Sequence, residues 1–536
     1  MLFIIINSVV VVGYLFGVCY LAYKGRRTMR MPSDYMIAGQ ETPSGVLGLS
    51  QGATHIGAAA IIGFGGTAAV FGFSLLWLGF FCILIGVFIA FVFCGKRTRR
   101  MGRALNAYTF PEMLGERYQS RFIQGFAGIV VFAFIPIYAA AILIGMARVI
   151  EASLHIPYVI GLAAFSLFLA LYVILGGLRG VKYTDAFHGV FLFVLMAIFC
   201  YWTYKLLGGI IPAHQALTAI APLVPERLAE GGLQGWTAGL RLGSPFWWIA
   251  CSSIMYGVGI GTLVQPQLVV RFLKAPSERE LDRGVLVAGV FMLAMIGVPL
   301  IVGPLTNVIF VERFGAISIA MAWGNVDKII PLYVTTIMPW WFCPLFLVGM
   351  LAASTAALSS QFHVGGASLG RDFYAKGMGF RRMGEVFTTK LGIALTIIAT
   401  VLWGFVLPPS SIAVATAFFF GLCAASFLPP YLLGLYWKGV TRAGAVASMV
   451  GGFCVSFIWM IFFHSLGSTA LFGAANLVAH ADPASWQSQL QYVDPIVISL
   501  PVSFALCIWV SRKTKRMPKE HLNRCFQYIG KENKGR

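Results

Sequence analysis

Residues 49–73, LSQGATHIGAAAIIGFGGTAAVFGF, form an apolar stretch long enough to cross a bilayer. Six glycines interrupt it, and each interior glycine lowers helix stability by about 1 kcal/mol relative to alanine. Irregular backbone at membrane depth is tolerated only where it packs in protein or lines a wet cavity, and His55 adds an ionisable group there. The stretch therefore predicts a broken helix at a solute site. A tightly packed, glycine-rich helix with a hydrogen-bonded histidine is the alternative.

The composition indicates a polytopic helical membrane protein. Of 536 residues, 59% are hydrophobic and 11% charged, and the mean hydropathy is +0.83. The net charge of +20 does not predict nucleic-acid binding, because the basic residues cluster in short loops between apolar spans. The ten cysteines form no CxxC pair, which favours packing residues over a disulfide framework or a metal site.

The hydropathy pattern predicts thirteen membrane spans. They lie at approximately 2–22, 45–70, 74–94, 122–148, 158–176, 187–207, 245–268, 284–310, 332–362, 388–406, 411–436, 443–465 and 491–511. With the N-terminus outside and the C-terminus inside, all but six of the 39 lysines and arginines fall on inner segments. Since cytoplasmic loops carry the excess of these residues, the charge distribution supports this layout, in the cell membrane.

A second interrupted span covers 245–268, where three glycines alternate from Gly257 to Gly261 and are followed by Gln265 and Pro266. It lies five spans after the first broken one and therefore enters from the opposite side, which is typical of a five-plus-five inverted repeat. We therefore predict six regions. They are 1–44 (first span and inner loop), 45–210 (first repeat), 211–244 (outer loop), 245–436 (second repeat), 437–511 (two extra spans) and 512–536 (basic cytoplasmic tail).

Six motifs along the chain resemble those of the sodium/solute symporter family, which includes carriers for proline, pantothenate, sialic acid, sugars, iodide and urea. They are SDYMIAGQET (33–42), GATHIG (52–57), NAYTFPEMLGERYQSRF (106–122), GGLRGVKYTDAFHG (176–189), GVGIGTLVQPQLVVRF (257–272) and GRDFY (370–374). The resemblance covers nearly the whole chain. It implies the thirteen-span inverted-repeat fold and transport of a small solute by alternating access.

The resemblance also implies a sodium site between the first broken helix and the ninth span. Its backbone carbonyl positions fall on Ala53, Ile56 and Ala353, whereas the two hydroxyl positions fall on Ala356 and Ala357. Alanine offers no oxygen ligand, and a hard cation prefers oxygen. The neighbouring Ser354 and Thr355 would need a slip of two residues, about 200° on a helix, to take their place.

His55 stands where proline carriers of this family have an aspartate. Histidine titrates near neutral pH, so a proton can replace the metal cation as the coupling charge. We therefore favour a proton-coupled symporter, or an uncoupled carrier, with His55 as the titrating group. The alternative keeps sodium on carbonyls, Thr54 and water, with His55 as a donor to the substrate.

We expect the substrate pocket where the two broken helices face each other. Its candidate residues are Ser50, Thr54, Gly57, Tyr256, Val258, Thr262 and Gln265. Amide donors of a broken helix suit an anionic group, so a small carboxylate, an amino acid or a urea-like amide fits this site. Packing roles for these residues, Val258 and Ser50 above all, are the alternative.

Three residues near the inner side are candidates for a gate or an ion path: Asp185, His188 and His363. A structural role is the alternative for each. No HExxH motif or carboxylate pair at membrane depth indicates an enzyme, and no cofactor beyond the coupling H⁺ or Na⁺ is expected. About 25 residues follow Ser511, too few for the signalling domain of a sensor, and no required protein partner is evident.

Overall fold

The computed structural model describes residues 2–27, 57–380, 384–465, 468, 476–478 and 485–529. Within these ranges it describes all side chains except those of residues 2, 3, 21–27 and 175–187. Every regular element in the described ranges is helical.

The helices of the first half precede residue 245. They are α1 (Leu2–Arg27), α2 (Gly65–Phe71), α3 (Leu76–Phe81), α4 (Lys96–Leu105), α5 (Phe110–Arg117), α6 (Arg121–Leu154), α7 (Tyr158–Leu206), α8 (Ile210–Ala219) and α9 (Glu226–Glu230). Two π-helical segments, Ala59–Phe64 and Cys82–Gly95, lead into α2 and α4.

The second half begins with α10 (Pro245–Trp248), a π-helical segment (Ile249–Val258) and α11 (Gly259–Gly261). The remaining helices are α12 (Pro266–Leu273), α13 (Glu278–Phe314), α14 (Ser318–Met321), α15 (Ile329–Thr336), α16 (Phe342–Ala367), α17 (Glu385–Val406), α18 (Ile412–Tyr436), α19 (Arg442–Phe462), α20 (Trp486–Gln489), α21 (Ile496–Lys513) and α22 (Lys519–Cys525). A further π-helical segment, Ser368–Gly377, extends α16.

Ten helical stretches in the described residues are long and apolar enough to cross a membrane, and two shorter apolar helices, Ile4–Tyr20 and Tyr158–Ile174, accompany them. One of the ten, Ala59–Leu105, contains Gly72 with a φ of +68°, which separates two of the predicted spans. The polytopic all-helical fold is therefore confirmed. The number thirteen and the orientation of the termini stay predictions.

Helix α7 contains two of the predicted spans. As one straight helix its 49 residues would be about 74 Å long. At its start, Tyr158 lies under Arg148, which pairs with Glu151. Glu151 also pairs with Lys328, which lies five residues before Tyr333. The hydroxyl of Tyr333 lies 3.0 Å from the hydroxyl of Thr203, near the other end of α7. Side chains near both ends of α7 are thus connected through Glu151, Lys328 and Tyr333.

Two layers of short helices and loops cover the ends of the bundle. We call the layer with residues 207–244, 315–341 and 404–411 the outer layer, and the layer with residues 96–120, 274–277 and 434–441 the inner layer. Asn7 donates to the carbonyl of Ser153 near the end of α6, where Glu151 pairs with Lys328 of the outer layer. His521 of α22 contacts the carbonyl of Arg117 in the inner layer. The first and the last helices thus reach opposite layers.

Polar side chains fix the starts of several helices. The hydroxyls of Thr109, Ser120, Ser277 and Thr441 accept backbone N–H groups of the first turns of α5, α6, α13 and α19. The centre of the bundle is formed by α16 and α18. In the most apolar 18-residue stretch of each, 89% and 94% of the residues are buried. In the corresponding stretch of α21 only 28% are buried, which places this helix at the periphery.

Candidate functional site

The second predicted broken helix is interrupted in the structure. It passes from α10 through the π-helical segment, α11 and a 3₁₀ turn, Thr262–Val264, to Gln265, whose ψ of 119° is extended. Pro266 then opens α12, where a missing N–H costs nothing. The glycines and the proline that predicted the break therefore also explain its position.

Glycines of this segment permit close backbone contact with α18. A Cβ atom on Gly261 would lie 2.5 Å from the carbonyl oxygen of Phe420, and one on Gly257 would lie 3.3 Å from that of Ala417. On another side, a Cβ atom on Gly259 would lie 2.9 Å from the side chain of Phe81 in α3. The broken segment is therefore wedged between α18 and α3.

The structure describes the first predicted broken helix from Gly57 onward. Gly57 is buried and is not part of a helix. The Gly57 carbonyl accepts the N–H of Ala60 at the start of the π-helical segment. A Cβ atom on Gly145 of α6 would lie 3.3 Å from Ala58, and one on Gly63 would lie 2.4 Å from Ile412 of α18. Both irregular segments therefore pack on α18.

A small cavity lies between the two irregular segments. Its volume is about 10 Å³, close to the minimum that holds one water molecule. Its lining comprises Ala59, Ala60, Phe64, Tyr138, Val258, Ile296, Thr416 and Phe420. The described part of the predicted chamber is thus nearly closed and mostly apolar, and the residues from Ser50 to Ile56 that would complete it lie outside the described ranges.

Of the predicted substrate residues, Val258 lines this cavity. Thr262 and Gln265 are buried, and each donates to a carbonyl four residues earlier, Thr262 to Val258 and Gln265 to Gly261. Tyr256 is 42% exposed and packs edge-on against Phe81, away from the cavity. Ser50 and Thr54 lie outside the described residues. The described candidates therefore do not converge on one pocket.

The predicted cation site is described only on α16. Ala353, Ala356 and Ala357 are buried, and α16 is a regular α-helix throughout Phe342–Ala367. The buried hydroxyls of Ser354 and Thr355 have no hydrogen-bond partner among the described residues. Ala53, His55 and Ile56 lie outside the described ranges, so their roles stay predictions.

The three inner-side candidates are not brought together in the described structure. His188 is buried, and its Nε2 atom lies 3.1 Å from the hydroxyl of Tyr14 in α1. The Nδ1 atom of His363 lies 2.8 Å from the carbonyl oxygen of Ser359, one turn earlier in α16. Asp185 belongs to α7, but its side chain is not described.

The sequence did not predict a polar cluster where α5 meets the end of the ninth predicted span. Thr109 and Gln124 both donate to Oδ1 of the fully buried Asp372, each at 2.8 Å. Beside it, Arg371 donates to both carboxylate oxygens of Glu112, at 2.8 and 3.1 Å. Thr109 and Glu112 lie in the motif at 106–122, and Arg371 and Asp372 lie in GRDFY, but neither motif indicates that the two segments touch.

A second buried carboxylate lies in the outer layer. Asp327 is 2% exposed, and it faces Arg148 of α6 and the backbone N–H groups of Ser410, Ser411 and Ile412 at the start of α18. Burial raises the pKa of Asp327 to about 7, because Arg148 and these N–H groups offset only part of the lost hydration. Asp327 thus joins the loop before α15 to α6 and α18.

Apolar crossings, one interrupted crossing at a glycine-rich segment and polar clusters at both ends define a polytopic membrane transporter. The family model of the Sodium:solute symporter family matches residues 35–452. The chain therefore belongs to the sodium:solute symporter family; it is a symporter of the cell membrane and not an enzyme.

Individual relatives agree with this assignment. The chain is 26% identical over 470 residues to the sodium/pantothenate symporter of Escherichia coli (strain K12), covering 84% of this chain and 89% of the relative. It is 27% identical over 461 residues to the high-affinity proline transporter of Bacillus subtilis (strain 168), covering 82% and 88%. The fold is similar to that of a Na⁺-coupled sialic acid symporter in a substrate-bound outward-open state. That likeness has a TM-score of 0.73 at 18% identity and covers 96% of this chain and 99% of the other.

Proposed function

We propose that this symporter imports a small polar organic solute, with a carboxylate as the first candidate, by alternating access and with protons as the coupling ion. Pantothenate and proline, the solutes named for two relatives, both carry a carboxylate. The extended backbone at Gln265 precedes the N-terminal end of α12, where helix dipoles favour an anionic group.

The observation that carries proton coupling is the unbroken α-helical geometry of α16. Without a bulge between Ala353 and Ala357, the helix keeps alanines at the two positions where the family resemblance implies the hydroxyls of a sodium site. A coupling proton needs a titrating group instead, for which His55 is the candidate.

Sodium coupling is the second candidate, and one observation favours it. The hydroxyls of Ser354 and Thr355 are buried and lack partners among the described residues, although buried polar groups are normally hydrogen-bonded. A cation bound between α16 and the first broken helix would supply the missing interaction. The double variant Ser354→Ala, Thr355→Val removes both hydroxyls and nearly preserves side-chain size.

The experiment is a thermal-shift series on purified protein with pantothenate, proline, sialic acid and small carboxylates, with and without sodium. A ligand that binds the native state raises its apparent stability, by about 2.7 kcal/mol at a hundredfold excess over Kd. We expect one carboxylate to stabilise the protein equally in sodium and in choline buffer. A sodium-dependent shift that Ser354→Ala, Thr355→Val abolishes would establish the second candidate, and stabilisation by uncharged sugars alone would contradict the carboxylate.

A further inference from the structure

A crevice of about 430 Å³ lies near the outer layer, between α3 and the broken segment of the second half. Five aromatic side chains form its walls: Phe73, Trp77, Phe81, Trp247 and Tyr256. Residues 237–240 close its top. No Asp, Glu, Lys or Arg is among its lining residues, and its volume is that of a small-molecule site, about 300–1,000 Å³.

Ser74 holds the top of the crevice in place. Its hydroxyl donates to the carbonyl of Ala238 and accepts the N–H of Leu240. The loop 237–240 is therefore anchored to the start of the third predicted span, so the crevice is a built feature of the fold.

The crevice is separate from the cavity between the two irregular segments. Val258 lines that cavity and Tyr256 lines the crevice, and residues two apart point to opposite sides of a helical segment. Helices α6 and α18 contribute to the central cavity but to no part of the crevice. A molecule in the crevice would thus lie outside the path between the two irregular segments.

One wall of the crevice reaches the outer surface of the helix bundle. Trp77 is 59% exposed, and Phe80, its neighbour on the same face of α3, is 52% exposed. Because α3 begins a membrane crossing, apolar rings exposed on its outer side face lipid, and tryptophans collect at the level of the headgroups. An opening lined by rings and lacking charge suits a hydrocarbon chain rather than a charged headgroup or a free anion.

We propose that this crevice binds one phospholipid of the outer leaflet, with an acyl chain against the five rings and the headgroup outside, beyond Trp77 and Trp247. The floor of the crevice is next to the glycines of the broken segment, since Tyr256 directly precedes Gly257 and the backbone of Gly259 packs against Phe81. The bound chain therefore supports the segment at its glycine-rich part.

The test is native mass spectrometry of the detergent-purified protein, which counts retained phospholipids. Gly239→Trp places an indole in the crevice, and an added Cβ at Gly239 meets no atom within 4 Å. Gly289→Trp on α13 is the matched control, because Gly289 is equally unobstructed and lies away from the crevice. Wild type and Gly289→Trp should retain one phospholipid that Gly239→Trp lacks.

A second variant tests the same prediction in case Gly239→Trp does not fold. Cys251→Trp fills the crevice from the opposite wall and should lose the same phospholipid. Added phosphatidylethanolamine in detergent should raise the thermal midpoint of wild type more than that of either filled variant. Retention of the phospholipid by both filled variants, or retention that follows headgroup charge and not the filled crevice, would overturn the proposal.

Discussion

Asp327 is a buried acid whose position makes the stability of the protein depend on pH. In an unfolded chain an aspartate has a pKa of about 3.9, whereas burial raises the pKa of Asp327 to about 7. Between these values the folded protein holds a proton that the unfolded chain releases, so stability falls as the pH rises through this window.

Asp327→Asn should therefore make stability fall less steeply as the pH rises through this window. The Asp327 carboxyl contributes about 1.4 kcal/mol per pH unit between about pH 4 and 7, and nothing further above pH 7. The measurement is the thermal midpoint of purified protein from pH 4.5 to 8. Asp282→Asn is the control, since Asp282 is 54% exposed in its ion pair with Lys96. An unchanged slope in Asp327→Asn would show that the carboxyl is hydrated in the folded protein.

Glu112 anchors α5 to the segment that follows α16. Glu112→Ala leaves the guanidinium of Arg371 buried without this carboxylate, which should cost about 3–5 kcal/mol. Asp282→Ala breaks an exposed pair and should cost about 0–1 kcal/mol. Chemical unfolding of both variants measures the difference. Equal losses would indicate that the Glu112–Arg371 pair is exchanged for water without penalty.

The residue pattern predicted less of the site than of the fold. Tyr256 and Val258 were expected in one pocket, but residues two apart diverge on any helical segment, and this segment stays helical up to Val264. The ion-pair partner of Glu112 could not be predicted from the sequence either. Arg371 follows 259 residues later, and only tertiary packing brings the two side chains together. Positions 50–56, including His55, lie outside the described residues, so their roles stay predictions.

At the scale of elements, the contact between the broken segment and α18 depends on glycine. Gly261→Ala puts a methyl group 2.5 Å from the carbonyl oxygen of Phe420, and backbone cannot rotate away as a side chain can. We expect a loss of about 1–3 kcal/mol in the free energy of unfolding, and reduced transport, because the segment must shift.

Gly297→Ala on α13 is the matched control for this prediction. Its added methyl would lie 3.8 Å from Leu293, an ordinary contact, and alanine favours a helix by up to about 1 kcal/mol. Thermal unfolding and uptake of both variants in vesicles make the comparison. A stable, active Gly261→Ala variant would show that the segment and α18 are not tightly packed in the working protein.

The breaks themselves were predictable because glycine and proline act locally. Gln265–Pro266 was expected to interrupt the seventh span, and the extended backbone at Gln265 shows that it does. The near closure of the central cavity was not predictable, since it depends on packing against α6, α13 and α18.

At the scale of the whole molecule, the two termini should lie on opposite sides of the membrane. Asn7 contacts the end of α6 beside the outer layer, His521 contacts the inner layer, and most basic residues fall on the side of His521. Protease added to right-side-out vesicles should remove an N-terminal epitope tag and leave a C-terminal one. Equal sensitivity of the two tags would contradict the predicted topology.

Transport coupling is the property on which the functional account depends most. The measurement is uptake of the stabilising carboxylate into proteoliposomes of purified protein, with a pH gradient and a sodium gradient imposed separately. We predict accumulation above the external concentration when the outside is acidic and sodium is absent, and loss of this accumulation in His55→Ala. Accumulation driven only by sodium at constant pH would contradict proton coupling, and equilibration without accumulation under either gradient would contradict symport altogether.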